Sequence, residues 1–212
     1  MIKTITFDLD DTLWPVWPAI GRAETAMYSW LNEHAPEISQ RFSPDQLLEL
    51  RNRFAAEKQE LSFHISLLRM LTMRQVAVQC GYDPVIGERA FEVMWRERNR
   101  VDLYDDVIPT LKQLRGMGLR LGALSNGNAD LREVGLADWF DFALNAVSAR
   151  QPKPASRMFQ LAVEQSCCQP EEIIHVGDDV SSDVLGAKAL GLIAIWLYRT
   201  GEGCAGEDGA AE

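Results

Sequence analysis

IKTITFDLDDT, residues 2–12, opens as a strand and closes on an acidic cluster. Residues 2–7 alternate with β-branched side chains, the pattern of a short β-strand. Asp8, Asp10 and Asp11 then fall within four positions. Carboxylates so close repel one another, so a divalent cation, a set of backbone N–H donors or water must hold them.

Working outward, the pattern changes completely after the cluster. From Pro18 to about Val101 the chain reads as helices only. AIGRAETAMYSWLNEH (19–34) sets Ala19, Ile20, Ala23, Met27, Trp30 and Leu31 at helical spacing. SPDQLLELRNRFAAEKQE (43–60) offers Ser43 as N-cap and Pro44 at the first helical position. SFHISLLRMLTMRQVAVQCG (62–81) and IGERAFEVMWRERNRV (86–101) add two more helices, the former stopped by Gly81. From Pro109 onward helices and strands alternate. The helix at 110–118 precedes a strand ending at Ser125; a strand begins at Phe140; a helix covers 156–167; a strand leads into Gly177-Asp178-Asp179; a helix covers 181–191; and LIAIWLY (192–198) is the last strand.

Strands alternating with helices predict a parallel sheet covered on both faces. The expected fold is therefore α/β: a Rossmann-like, doubly wound parallel sheet with an inserted all-α cap. The core takes residues 1–15 and 101–200, the helical insertion takes 16–100, and 201–212 is expected to be a flexible tail.

Composition sets further bounds. A chain of 212 residues, 47% hydrophobic and 25% charged, can bury a sizeable core. Its formal charge of −10 argues against a nucleic-acid footprint, which is basic. No run of 18 apolar residues and no signal-peptide layout is visible, so a cytoplasmic protein that binds neither membrane nor nucleic acid is expected, as monomer or homodimer. Cys80, Cys167, Cys168 and Cys204 form no CxxC pair and read as reduced thiols.

In an open parallel sheet, ligands bind outside the carboxyl ends of the strands. The chemistry-bearing residues of this chain fall there: Asp8 to Thr12, Ser125-Asn126-Gly127, and Gly177-Asp178-Asp179, with Lys153 in the loop before a helix. Read alone, DLDDT is also compatible with a solvated turn or part of a calcium loop, although it lacks the glycine and distal glutamate of an EF-hand.

Together the segments carry a resemblance. DLDDT at 8–12, LSNG at 124–127, KP at 153–154 and GDDVSSD at 177–183 resemble, in order and spacing, the four motifs of the haloacid dehalogenase superfamily. The helical insertion is similar to that superfamily's type 1 cap. SNGNAD and HVGDDVSSDVLGA look most like the bacterial flavin-pathway phosphatases acting on FMN or a ribitylaminouracil phosphate.

The resemblance implies a Mg²⁺-dependent phosphatase working on a small phosphomonoester through an aspartyl-phosphate. Asp8 is then the nucleophile and Asp10 the acid–base, two residues on and pointing the same way in an extended segment. The implied metal ligands are Asp8, the Asp10 carbonyl and Asp178. Thr12 is given a positioning role, and Asp183 or Asp179 orients waters or Lys153. Ser125, the Asn126 backbone and Lys153 would hold the phosphoryl oxygens. Trp14 and Trp17 at the crossing into the helices, with His64 and Arg69 on the third helix, are the candidates for recognising the leaving group; hinge packing is the plainer reading of the tryptophans. Asp11 reads as a turn residue, Gly127 as a source of backbone freedom, and His175 as a packed strand histidine. Dehalogenase, phosphotransferase and phospho-ligand-binding protein are the alternatives on the same scaffold.

Overall fold

The computed structural model describes residues 1–199, so the tail expected at 201–212 lies outside the described residues, as does Cys204. A five-stranded parallel sheet forms the centre, with β1 (Thr4–Phe7), β2 (Arg120–Ser125), β3 (Phe142–Asn145), β4 (Ile173–Gly177) and β5 (Ile193–Trp196) in the order β3-β2-β1-β4-β5. The central strand β1 is buried along its whole length. It pairs Thr4 with Arg120 on one side and with Ile173 on the other. Ile5 and Phe7 point into an apolar cluster that takes in Leu9, Leu13, Trp14, Val107 and Leu111. Thr4 and Thr6 point the other way, and Thr6 Oγ1 lies 2.9 Å from His175 Nδ1 on β4. Because β2 and β3 run off one edge of β1 and β4 and β5 off the other, the strand order reverses beside β1. A crevice is therefore expected outside the end of β1, where DLDDT sits.

The stretch between β1 and β2 is helical throughout: α1 (Val16–His34), α2 (Pro36–Arg41), α3 (Pro44–Glu57), α4 (Ile65–Gln79), α5 (Pro84–Arg98) and α6 (Val107–Gly116). The first five share a cluster of their own, in which Ala23, Met27 and Leu31 of α1 meet Met73, Val76 and Ala77 of α4 and Ala90 and Met94 of α5. Four-residue steps place such side chains on one helix face. Gly87 lets α5 press on α4, since a Cβ there would overlap the Met73 backbone. Ser43 caps α3 in a full capping box with Gln46. Helix α2 was not expected from the sequence; its Pro36 start and single buried side chain, Ile38, give too short a pattern to read.

Later boundaries also differ from expectation. The strand expected from Phe140 shortens to β3, preceded by the short helical turn α7 (Leu131–Val134), and the chain passes at once from β3 into the turn α8 (Ala146–Ala149). Asn145 causes the early stop, because its side chain and Ser148's form a reciprocal cap. After α9 (Ser156–Ser166), the single helix expected at 181–191 divides into a wide π-turn at Val180–Leu185 and α10 (Gly186–Ala189). No helix among the described residues is long and apolar enough to cross a membrane.

Candidate active site

The strand ends converge as expected. A cleft of about 220 Å³ is lined by Asp8, Asp10, Ser125, Asn126, Lys153 and Asp178 together, with Asp179 and Asp183. Its floor is the end of β1. The Asp8 N–H donates to Val176 O at 2.8 Å, continuing the sheet by one residue, and the chain then turns. Asp11 makes the turn in the left-handed conformation, φ 56°, which aspartate tolerates better than most residues. Its carboxylate accepts from Val16 N at 2.8 Å and so fixes the start of α1.

Lys153 is the hub. Its Nζ lies 2.6 Å from Asp8 Oδ1, from Asp183 Oδ1 and from Leu124 O, so all three ammonium hydrogens are engaged. The lysine is almost fully buried. Burial works against its charge, but Asp8 and Asp183 outweigh that and raise it above its ordinary value. Asn126 straps the lysine's loop to the end of β2: its Nδ2 donates to Lys153 O at 2.9 Å and its Oδ1 accepts from Lys153 N at 2.6 Å. Ser125 Oγ accepts from Gly127 N at 2.9 Å, which leaves its hydroxyl hydrogen to point elsewhere.

Three carboxylates, Asp8, Asp178 and Asp183, bring oxygen atoms within 4.8 Å of one another. Burial pushes Asp8 up to about 8 despite Lys153, and pushes Asp178 up to about 6 despite the Thr12 hydroxyl, which donates to it at 3.0 Å. Burial would raise Asp183 too, but His175 and Lys153 outweigh it and hold it below the usual carboxylate range. Clustered, desolvated, all-oxygen donors fit a hard divalent cation, whose charge offsets both the repulsion and the burial. The triad can therefore hold a divalent metal.

Asp183 and Asp179 separate cleanly. Asp183 is buried and bonded to Lys153 and His175, and its Oδ2 accepts from Asp179 N at 3.2 Å. The Asp179 carboxylate turns the other way and caps the π-turn through Ser182 N at 2.5 Å. His175 packs as expected, edge-on to Phe159, but it also bridges Thr6 and Asp183. Burial pushes its imidazolium form down. The ionised Asp183 only accepts, so Nε2 carries the hydrogen at 3.1 Å.

Asp10 stands apart from the triad. Trp14 Nε1 donates to its Oδ1 at 2.9 Å, and Arg98 Nη2 lies 2.6 Å from Oδ1 and 2.7 Å from Oδ2. Trp14 is 0% exposed, so no ring face is offered to a ligand in this structure. Gly127 serves close approach: a Cβ there would overlap Asp10 Oδ2. Trp17 (57% exposed) and Arg69 line a different cavity, about 280 Å³ among α1, α3, α4 and α5. His64 instead caps α4, its Nδ1 accepting from Leu67 N.

Arg98 escaped sequence reading because RERNR looks like a solvated helix end. The signal was nonetheless present. Gly87, Ala90, Met94 and Arg98 form the buried stripe of α5, and a charged residue on an apolar stripe requires a partner.

Comparisons agree with this geometry. A 5-amino-6-(5-phospho-D-ribitylamino)uracil phosphatase of Escherichia coli K12 is 33% identical over 200 residues, spanning 92% of this chain and 83% of that protein. The solved structure of a 2-haloacid dehalogenase from Pseudomonas syringae pv. Tomato DC3000 superposes with a TM-score of 0.88 at 39% identity, covering 92% of this chain and 86% of that one. That of a HAD phosphatase from Thermococcus onnurineus gives 0.63 at 28% identity, over 98% and 92% of the two chains. The pattern of the haloacid dehalogenase-like hydrolases matches residues 2–191, and with the sheet order and the four strand-end motifs in place, the chain belongs to that family of hydrolases.

Proposed function

We propose that this hydrolase is a Mg²⁺-dependent phosphomonoesterase that works through an aspartyl-phosphate on Asp8. One observation carries the reading: Asp10 shares a loop with Asp8 but is held outside the acidic triad, by its own donors. Breaking a carbon–halogen bond releases halide and requires no proton donor, whereas an alkoxide leaving group does. The presence of Asp10 therefore favours phosphate ester over haloacid.

In the first step an Asp8 oxygen attacks phosphorus as the ester P–O bond breaks, and Asp10 protonates the departing oxygen. In the second step Asp10 takes a proton from water, whose oxygen attacks the phosphorus. The P–O bond to Asp8 breaks, regenerating its carboxylate and releasing inorganic phosphate. Ser125 and the Asn126 backbone are assigned to the phosphoryl oxygens. Lys153 joins them once Asp8 is esterified, since the acyl phosphate no longer competes for its ammonium. Asp8, Asp178 and the Asp10 carbonyl would hold Mg²⁺, with Asp183 beside them, and the ion supplies charge neutralisation for the phosphoryl group. Helices α1–α5 act as the cap over the cleft, and Trp17 and Arg69 line the separate cavity within it. The flavin-pathway relative makes FMN, ribitylaminouracil phosphates and nucleotides the first substrates to try.

The test is inorganic phosphate release from those esters and from sugar phosphates, with Mg²⁺ and with chelator, beside chloride release from 2-chloropropionate. Mg²⁺-dependent phosphate release is expected. Halide release without phosphate release would overturn the reading.

Two further outcomes follow. The upward shifts of Asp8 and Asp178 mean that both bind protons more tightly folded than unfolded. The stability these two carboxyls contribute to the metal-free protein should accordingly fall as pH rises from about 4 to about 8, while buried His175 contributes in the opposite sense below its ordinary value. A cation competes with those protons, so the rise in melting temperature on adding Mg²⁺ should be larger at pH 8 than at pH 6; a smaller rise at pH 8 would contradict the proposed site. Gly127→Ala should displace Asp10 and lower kcat by about tenfold or more with little change in fold, as measured by steady-state kinetics beside circular dichroism.

A further inference from the structure

The chain crosses between sheet and cap twice, and both crossings place a donor on the same carboxylate. At the first, Trp14 lies four residues past Asp10 and donates its indole N–H to Oδ1 at 2.9 Å. At the second, Arg98 ends α5 and sets Nη2 within 2.6 and 2.7 Å of the two Asp10 oxygens. Arg98 is 2% exposed. Its other terminal nitrogen, Nη1, is the buried side-chain polar atom left without a partner among the described residues. One nitrogen thus serves both oxygens, whereas the planar guanidinium matches a carboxylate best with two nitrogens side by side.

The neighbours tie this contact to the joint. Asn99, also buried, accepts from Asp130 N at 2.7 Å and thereby fixes the second crossing to the loop after β2. Tyr104 N donates to Leu13 O at 3.0 Å, which laces the two crossings together. The Arg22 guanidinium of α1 donates to Arg100 O at 2.6 Å. Trp14 is packed in the apolar cluster under the sheet and Arg98 rides on α5, so any rotation of the cap about this joint moves Arg98 against Trp14 and changes how the two donors together locate Asp10.

We infer that Arg98 is a positioning residue for proton transfer: acting with Trp14 from the two cap crossings, it sets where the Asp10 carboxyl stands, so that the cap's orientation governs delivery of the leaving-group proton. The inference rests on the phosphatase reading with Asp10 as acid–base. It goes beyond that reading by assigning the control of Asp10 to the joint. Repacking of α5 toward the two-nitrogen fork would bring Nη1 into use and shift Asp10 with it.

The experiment compares wild type, Arg98→Met, Arg98→Lys and Trp14→Phe on two esters, glycerol 3-phosphate with its poor alkoxide leaving group and 4-nitrophenyl phosphate, whose leaving group needs little protonation. For Arg98→Met the ratio of alkyl to aryl kcat/KM, which covers the steps up to the aspartyl-phosphate and not the hydrolysis that both esters share, should drop by about tenfold or more, the order a misplaced general acid produces. Arg98→Lys should recover most of the ratio, and Trp14→Phe should lose part of it. Asp10→Asn with Arg98→Met should be no slower than Asp10→Asn alone, because the arginine acts through Asp10. Should Arg98→Met fail to fold, the Lys and Phe variants carry the same ratio test. Equal losses on both esters or additive losses in the double variant would overturn the inference while leaving the phosphatase reading intact. Wild type inactive on every ester would overturn both.

Discussion

Asp8→Asn is expected to abolish phosphate release, by about a thousandfold or more, while leaving the protein folded. The amide is nearly isosteric, and its carbonyl oxygen can still accept from Lys153 Nζ, which lies 2.6 Å from Asp8 Oδ1. What disappears is the anionic oxygen that attacks phosphorus, and no neighbour can replace it. Asp178 accepts from the Thr12 hydroxyl, Asp183 is committed to Lys153 and His175, and Asp10 is held by Trp14 and Arg98. Nucleophile removal is among the most costly changes an enzyme of this kind suffers. The same substitution removes a carboxyl that burial has pushed up to about 8. The metal-free variant should therefore lose less stability than wild type as pH rises from about 4 to about 8. Phosphate release and a thermal melt series across that range check both halves. Residual turnover near wild type would remove Asp8 from the role of nucleophile.

The second large effect is on the fold itself. Lys153→Met deletes the one ammonium that Asp8 and Asp183 share at 2.6 Å each, in a site where the lysine side chain is 1% exposed. Two buried carboxylates then face each other uncompensated, and breaking a buried pair by removing one partner typically costs about 3–5 kcal/mol. The loss should be greatest at high pH and shrink in acid, since protonating either carboxyl relieves the repulsion. Mg²⁺ should restore part of the stability without restoring turnover, because the cation supplies charge but not the third donor. Denaturant titrations at pH 5 and pH 8, with and without the ion, give the comparison. A loss independent of pH would indicate that Lys153 serves packing more than charge.

The sequence alone determined the class of the fold and which side chains gather at the strand ends. A β-branched strand stopped by three carboxylates, a purely helical stretch and a return to alternating strands and helices are local patterns, readable without contacts. The motifs at Asp8, Ser125, Lys153 and Asp178 were legible for the same reason: each lies where a strand or helix signal ends, and a parallel sheet gathers such ends on one edge. Ser43 and Pro44 likewise announced α3 through local capping chemistry.

What the tertiary structure decided were relations between residues far apart in sequence. The choice between Asp183 and Asp179 depended on which carboxylate the π-turn carries beneath Lys153, and a turn's pitch is not written in residue type. Trp14 carried the same apolar signal whether it recognised a ligand or held Asp10; only its complete burial and its 2.9 Å contact separate the two. Arg98 lies 88 positions from its partner. A charge at the end of a helix reads as solvated until the fold buries it, and burial is the condition under which an arginine must find its carboxylate.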